Sequence, residues 1–333
     1  MKTPTLAYWL HAFFHEWLAQ QRNLSHNTVL SYRDTWRLFL RFVASRRQRL
    51  VADLAIENLT GEEVLAFLRH SEEERKVTIG TRNCRLAALR SFFKFVADRE
   101  PLAAAQCAAV LRIPTKKAPR SEVNYLDAEE VAAIMKQPDR STLGGQRDHA
   151  LFALLYNTGA RIQEALDLCP QSIRFRSPAQ VTLFGKGRKE RICPLWPETA
   201  DLLAALLKRQ PRPDDQPIFL NRYGQPLGAA GVRFKLEHCV QQASEHMPTL
   251  KGKRISPHTF RHTMGVAMIT AGVDVTVIRS WLGHVSLDTT NHYARANVET
   301  KRLALQGVDV STRPTKPSRW KRDPELITWL NSL

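Results

Sequence analysis

His258-Thr259-Phe260-Arg261-His262 is followed by Trp281-Leu282-Gly283-His284-Val285-Ser286 and then by Thr289-Thr290-Asn291-His292-Tyr293-Ala294, and these stretches decide how the chain is read. The apolar spacing predicts helices over residues 257–271 and 274–282, with a further helix after Tyr293. On the first of these, His258 and Arg261 stand three residues apart and share one face. Tyr293 comes nine residues after His284. Further upstream, Thr158-Gly159-Ala160-Arg161-Ile162-Gln163-Glu164 sets Arg161 just past a helix stop and at the start of the next helix. Lys186 lies in Gly185-Lys186-Gly187-Arg188-Lys189, between the strand-like runs Gln180–Phe184 and Glu190–Leu195. That pattern predicts a β-hairpin with a basic tip.

Around these segments the reading is mostly helical. Asp127 with Glu130 starts a helix over 128–137, and another runs over 146–157 to the stop at Gly159. A helix follows the hairpin, then a proline-rich loop over 210–217 and a helix over 228–246.

Residues 5–97 read as helices. Leu6, Trp9, Leu10, Phe13, Phe14 and Trp17 recur at three- and four-residue spacing, which predicts one apolar stripe. Ser25 is placed to cap a second helix, with Val29, Tyr32, Trp36, Phe39, Leu40 and Val43 facing inward. Thr60 opens a third, with Glu63 expected to reach back and complete a capping box. Thr78 or Thr81 opens a fourth, with Leu86, Leu89, Phe92, Phe93 and Val96 buried. These aromatic residues are expected to form a core rather than a base-stacking platform. Arg33, Arg37, Arg82, Arg85 and Arg90 are each expected to be solvated, and together to make a basic surface. Residues 113–120, Ile-Pro-Thr-Lys-Lys-Ala-Pro-Arg, read as a linker whose cations are free to lie along a backbone.

The 333 residues carry 49 Lys and Arg against 32 Asp and Glu, a formal charge of +17. An excess of this size on a chain that is 43% apolar implies a folded protein with a polyanionic partner, because each cation that neutralises a phosphate releases counterions. The five cysteines are dispersed without a Cys-x-x-Cys pair, which argues against a disulfide framework and for a reducing cytosol. His11, His15 and Glu16 interrupt the apolar opening segment and no small-residue cleavage site follows, so neither a secretory leader nor a membrane span is expected. His258 and His262 sit one helical turn apart, but Thr259 stands where a zinc protease helix needs Glu, and Arg261 would repel a cation; no metal and no cofactor is expected. Gly185-Lys186-Gly187 lacks the Ser or Thr of a P-loop.

In their order, Arg161, Lys186, His258-x-x-Arg261, Leu282-Gly283-His284 and Tyr293 resemble the tyrosine recombinase (phage integrase) family, including its Xer-type members, over about residues 120 to 300. Leu24-Ser25-His26-Asn27-Thr28 and Tyr32-Arg33 resemble that family's core-binding module. The one departure is Phe260, where leucine often precedes the arginine. The resemblance implies that Arg161 and Arg261 clamp the scissile phosphate and that His258 and His284 donate hydrogen bonds to its oxygens, His258 also taking the tyrosine proton. It further implies that Lys186 protonates the 5′-hydroxyl leaving group and that Tyr293 attacks the phosphorus. Arg188 and Lys189 are alternatives for the role of Lys186. Glu164 is expected to hold local structure.

The implied fold is mainly α, in the α+β sense: a helical, SAM-like core-binding domain and a mostly helical catalytic domain with a small antiparallel sheet, forming a C-shaped clamp on DNA. The expected boundaries are 1–112 for the first domain, 113–122 for the linker, 123–310 for the catalytic domain and 311–333 for a basic tail. That tail ends in a short helix over Leu326, Ile327, Trp329 and Leu330, which needs a groove on its own domain or on a neighbouring protomer; the resemblance implies the neighbour. The implied partners are double-stranded recombination sites and either a synaptic homotetramer or a second recombinase; no membrane partner is implied. Strand exchange would pass through a Holliday junction, in the cytoplasm at the nucleoid. The two-domain resemblance implies a mobile element or resolution system, and the length and basic tail favour a mobile element over a housekeeping role. Two other readings stay open at this point: a catalytically silent DNA-binding accessory protein, and a type IB topoisomerase.

Overall fold

A computed structural model of the chain describes residues 4–118, 124–185 and 189–283. The chain divides into two compact units, Met1–Ser121 and Glu122–Leu333. His284, Tyr293, the tail helix and Lys186 lie outside the described residues.

The first unit is helical. Helix α1 (Leu6–His11) is capped by Thr5, whose hydroxyl accepts from the Tyr8 amide at 3.3 Å. It continues as a π-helical segment over Ala12–Gln21, where the Arg22 amide donates to the Trp17 carbonyl five residues back. The wider turn changes which side chains point inward. Phe13 and Leu18, five apart, are fully buried, whereas Trp17 is half-buried and carries the Arg99 guanidinium 5.0 Å from its ring centre. The single α-helical stripe expected from Phe13 to Trp17 is corrected accordingly.

Helix α2 (His26–Arg46) is capped by Ser25, α3 (Gly61–Glu73) by Thr60 and α4 (Ile79–Ala97) by Thr78. Thr60 accepts from the Glu63 amide, but the Glu63 carboxylate does not complete the box. It turns instead to Arg46 and Arg47 at 3.2 and 3.1 Å, because two cations outbid one amide. A further helix, α5 (Ala104–Leu111), follows a Glu100-Pro101 start that the periodicity had not flagged. Phe13, Trp36, Phe39, Phe67, Phe92 and Phe93 interlock as edge-on and tilted pairs at the centre of this unit.

Three arginines of α4 are not solvated as expected. Arg82 donates to the Pro114 carbonyl at 3.0 Å, Arg85 to the Ser71 hydroxyl at 2.6 Å, and Arg90 to the Ile113 carbonyl. Asn83 exchanges hydrogen bonds with the Lys116 backbone, and Lys116 Nζ reaches both Glu72 oxygens at 2.9 Å. Residues 113–116 are therefore strapped onto α3 and α4, and Lys116 is not a free linker cation.

The second unit begins with α6 (Ala128–Met135), whose Glu130 accepts from the Asp127 amide and from Lys253. It continues through α7 (Leu143–Thr158), α8 (Ile162–Leu166), strands β1 (Ile173–Arg174), β2 (Gln180–Phe184) and β3 (Glu190–Pro194), and α9 (Pro197–Arg209). Helices α10 (Ala229–Ser244), α11 (Pro257–Thr270) and α12 (Val275–Leu282) follow. The sheet is antiparallel in the order β1-β2-β3, with Val181 opposite Cys193 and Leu183 opposite Arg191. Alternation turns Val181, Leu183 and Cys193 into the core and leaves Phe184 and Ile192 outside. The core joins these residues to Leu151, Phe152 and Leu155 of α7, Leu203 of α9, Leu236 of α10 and Phe260 of α11. A smaller cluster of Met264, Val266, Met268 and Ile269 with Ile278 and Leu282 packs α12 onto α11. Among the described residues no helix is long and apolar enough to cross a membrane.

Candidate active site

Helices α7 and α12 each end on a glycine in the left-handed region, Gly159 at φ 58° and Gly283 at φ 62°. Such ends leave backbone carbonyls without helical partners and gather negative partial charge. Arg261 uses both. Its Nη1 donates to the Gly159 carbonyl at 2.8 Å and its Nη2 to the Leu282 carbonyl, with the side chain only 1% exposed. Phe260 fixes the opposite side of α11 by packing against Phe152, ring centres 6.1 Å apart, and is fully buried. Phe260 thus takes a place in the core of this unit.

Arg161 is the N-cap residue of α8 and follows Gly159 by two positions. Its amide donates to Glu164 Oε2 at 2.9 Å, its Nη1 to Glu164 Oε1 at 2.7 Å, and its Nη2 reaches the Gly283 carbonyl at 3.4 Å. Glu164 is buried and shared, because Arg191 Nη2 also donates to its Oε2 at 2.7 Å. Burial pushes this carboxyl up, but the hydrogen bond and charge of Arg191 and the two bonds from Arg161 outweigh it and hold it below the usual Glu value. Glu164 acts locally as a structural acceptor, as the sequence led one to expect.

Arg191 was missed by sequence reasoning. Besides binding Glu164, its Nε donates to the Trp281 carbonyl at 2.9 Å. The signal was present in β3, where strand alternation puts Arg191 in phase with the buried Cys193 and leaves Ile192 outside. An inward-facing arginine needs a buried acceptor. Three consecutive carbonyls at the end of α12 are therefore taken by three arginines from separate segments: Trp281 by Arg191, Leu282 by Arg261, and Gly283 by Arg161. The next residue is His284.

His258 lies on α11 with an exposed ring, 4.5 Å edge-on from the His262 ring. Its pKa falls below the ordinary His value, first through partial desolvation by the surrounding protein and then through repulsion by Arg261 and Arg161. A cleft of about 500 Å³ is lined by the cations Arg161, Lys189, Arg191 and Arg279, with Glu190 as its one acidic residue among the described residues, so the charged groups on its wall are mostly positive. The Gly185 amide donates to the Lys189 carbonyl at 2.7 Å and closes the base of the hairpin. Of the sequence-predicted residues, Arg161, His258 and Arg261 are brought to one neighbourhood; Lys186, His284 and Tyr293 lie outside the described residues.

Residues 124–300 match the phage integrase family, and residues 12–100 match the phage integrase N-terminal SAM-like domain. This chain belongs to the phage integrase family. Among curated relatives of this integrase-family protein, one named as an integrase/recombinase, y4rC of Sinorhizobium fredii, is 39% identical over 332 residues, all of this chain and 99% of the relative. The tyrosine recombinase XerC of Oceanobacillus iheyensis is 31% identical, covering 87% of this chain and 92% of its own. The fold is also that of the XerH site-specific recombinase in a post-cleavage complex with its difH substrate, at TM-score 0.69 and 20% identity, covering 86% and 81% of the two chains. The integrase thus has the SAM-like helical domain and the helical catalytic domain with a small antiparallel sheet that its sequence implied. Its activity class is site-specific cleavage and rejoining of DNA by a tyrosine recombinase.

Proposed function

We propose that this integrase exchanges strands between two short double-stranded DNA sites through a 3′-phosphotyrosine link made by Tyr293. The phenolic oxygen of Tyr293 attacks the scissile phosphorus, the P–O5′ bond breaks, and the freed 5′-hydroxyl takes its proton from Lys186. The ester formed retains the energy of the diester, so a second 5′-hydroxyl attacks it and regenerates the tyrosine without ATP.

The protein's task at the phosphorus is positioning and charge stabilisation. Arg161 and Arg261 supply planar donors to the non-bridging oxygens, and His258 and His284 add single hydrogen bonds. A lowered pKa keeps His258 neutral at pH 7, fit to accept the tyrosine proton. Once protonated it stands near Arg161 and Arg261, a repulsion that favours giving the proton back during ligation.

The observation that carries this reading is the convergence of Arg161 and Arg261 on the carbonyls of Gly283 and Leu282, one and two residues before His284. The +17 charge supports a DNA partner, and the family relatives support recombination over simple relaxation or silent binding. In this reading the active assembly is a synaptic tetramer, of this chain alone or with a second recombinase, working through a Holliday junction in the cytoplasm at the nucleoid. Residues 123–310 form the catalytic domain, and the tail helix over Leu326 to Leu330 docks on a neighbouring protomer. The DNA served belongs to a mobile element or resolution system.

The test uses full-length protein and a duplex selected from a random library for tight binding, with nicks tiled across its centre. A covalent adduct that traps one strand, and faster relaxation of plasmids carrying that site than of plasmids lacking it, is the expected outcome. Equal relaxation of both plasmids would instead assign a topoisomerase.

A further inference from the structure

Arg191 plays no part in the catalytic reading, yet its side chain is only 8% exposed and each terminal contact it makes is to the machinery. It sits on the inner face of β3 opposite Leu183, bridging Glu164 Oε2 at 2.7 Å and the Trp281 carbonyl at 2.9 Å. It also packs under the end of α12: a Cβ placed on Gly283 would come within 3.3 Å of Arg191 Cδ.

The charge arithmetic at Glu164 gives these contacts a purpose. Arg161 and Glu164 alone make a neutral pair joined at 2.7 Å, with the carboxylate side chain 4% exposed. The Arg161 side chain is 35% exposed toward the cleft, so the pair is dry only on its carboxylate side. A one-to-one pair there still draws on the guanidinium and offsets its field, less strongly than full burial would. A phosphate approaching Arg161 would then compete with Glu164 for the same donors. With Arg191 on the other carboxylate oxygen, the group of Arg161, Glu164 and Arg191 carries one net positive charge, and the hold of Glu164 on Arg161 is shared.

We propose that Arg191 is a positioning residue for DNA cleavage: it neutralises Glu164, so that Arg161 keeps its charge for the scissile phosphate, and it anchors the Trp281 carbonyl at the backbone that leads to His284. The proposal rests on the catalytic reading of Arg161 and Tyr293 given above. It differs from a purely structural role in one respect. If excess negative charge at Glu164 is what harms the Arg191-deficient enzyme, removing that charge must restore activity. If Arg191 only fills space, or itself touches the phosphate, removing Glu164 as well must make matters worse.

The experiment compares wild type, Arg191→Gln, Glu164→Gln, the double variant, Arg191→Lys and Tyr293→Phe, all full-length. Readouts are thermal unfolding, affinity for the selected duplex and single-turnover adduct formation on its nicked form. Wild-type adduct with none from Tyr293→Phe establishes the catalytic reading independently of Arg191. Arg191→Gln is then expected to bind the duplex within about threefold of wild type while forming adduct about a hundredfold more slowly. Arg191→Lys, which keeps the charge, should lose about tenfold or less, and the double variant should recover at least about tenfold over Arg191→Gln. A double variant as slow as Arg191→Gln, or slower, overturns the proposal. So does an Arg191→Gln protein that cleaves at the wild-type rate, or whose duplex binding falls in step with cleavage through loss of folded protein.

Discussion

Arg261 and Leu282 are joined by a hydrogen bond from the buried guanidinium to the last carbonyl of α12, while the other guanidinium nitrogen holds Gly159 at 2.8 Å. One side chain thereby ties the ends of two helices whose following residues carry Arg161 and His284. A lysine at this position keeps the charge but cannot span both carbonyls with a planar fork. Arg261→Lys is expected to lower stability by about 1–3 kcal/mol in chemical denaturation. Adduct formation should fall more than about a hundredfold, since a phosphate donor is lost with the tie.

His258 sets the acid side of the pH profile. Its pKa lies below the ordinary value of 6.5, so the neutral, proton-accepting form persists as pH falls through 6.5 and is lost only further down. The second-order rate of adduct formation, which reports the free enzyme, should therefore hold through pH 6.5 and break below it. A break above 6.5 would contradict the assignment. His258→Gln should remove the break altogether.

Gly159 is constrained from two sides. Its φ of 58° suits glycine, and an added Cβ would stand 2.5 Å from Leu282 Cδ2. Gly159→Ala is expected to cost about 1–3 kcal/mol, seen as a lower midpoint in thermal or denaturant unfolding. Adduct formation should fall with it, because the displaced Leu282 is the residue that Arg261 grips.

Lys253 neutralises a buried carboxylate on α6. Glu130 is 1% exposed and takes Lys253 Nζ on both oxygens at 2.7 Å. Burial raises its pKa, but the Lys253 hydrogen bond, the Asp127 amide, Thr249 and the Lys253 charge together bring it below the ordinary 4.5. A depressed carboxyl contributes stability that is complete above the unfolded value and fades as pH falls through the folded one. Lys253→Met should thus cost about 3 kcal/mol at neutral pH, and the difference from wild type should shrink below pH 4.5 in parallel unfolding titrations.

Much of this architecture was legible beforehand because its signals are local. Ser25, Thr60 and Thr78 cap the helices they were expected to cap, and Gly159 ends the helix it was expected to end. What escaped depends on partners distant in sequence. Adjacent apolar residues at Trp17 and Leu18 satisfy α and π spacing alike, so only packing selects the π turn. Glu63 left its capping box for arginines on another helix, and Arg82 and Arg90 found carbonyls in a segment that composition alone marks as a linker. The shared face of His258 and Arg261 was readable from their spacing. That one is exposed and the other buried against two helix ends was not, since neither end is near them in sequence. Arg191 announced itself only through strand phase, a signal that becomes specific once Glu164 and Trp281 are seen across from it.

The central claim is that Tyr293 carries the DNA. Full-length wild type and Tyr293→Phe should be incubated with the nicked selected duplex, and the covalent product digested and sequenced by mass spectrometry. The account predicts an adduct from wild type alone, with a 3′-phosphate ester on the peptide containing Tyr293. No wild-type adduct at any nick position, or an adduct that survives in Tyr293→Phe, would contradict it.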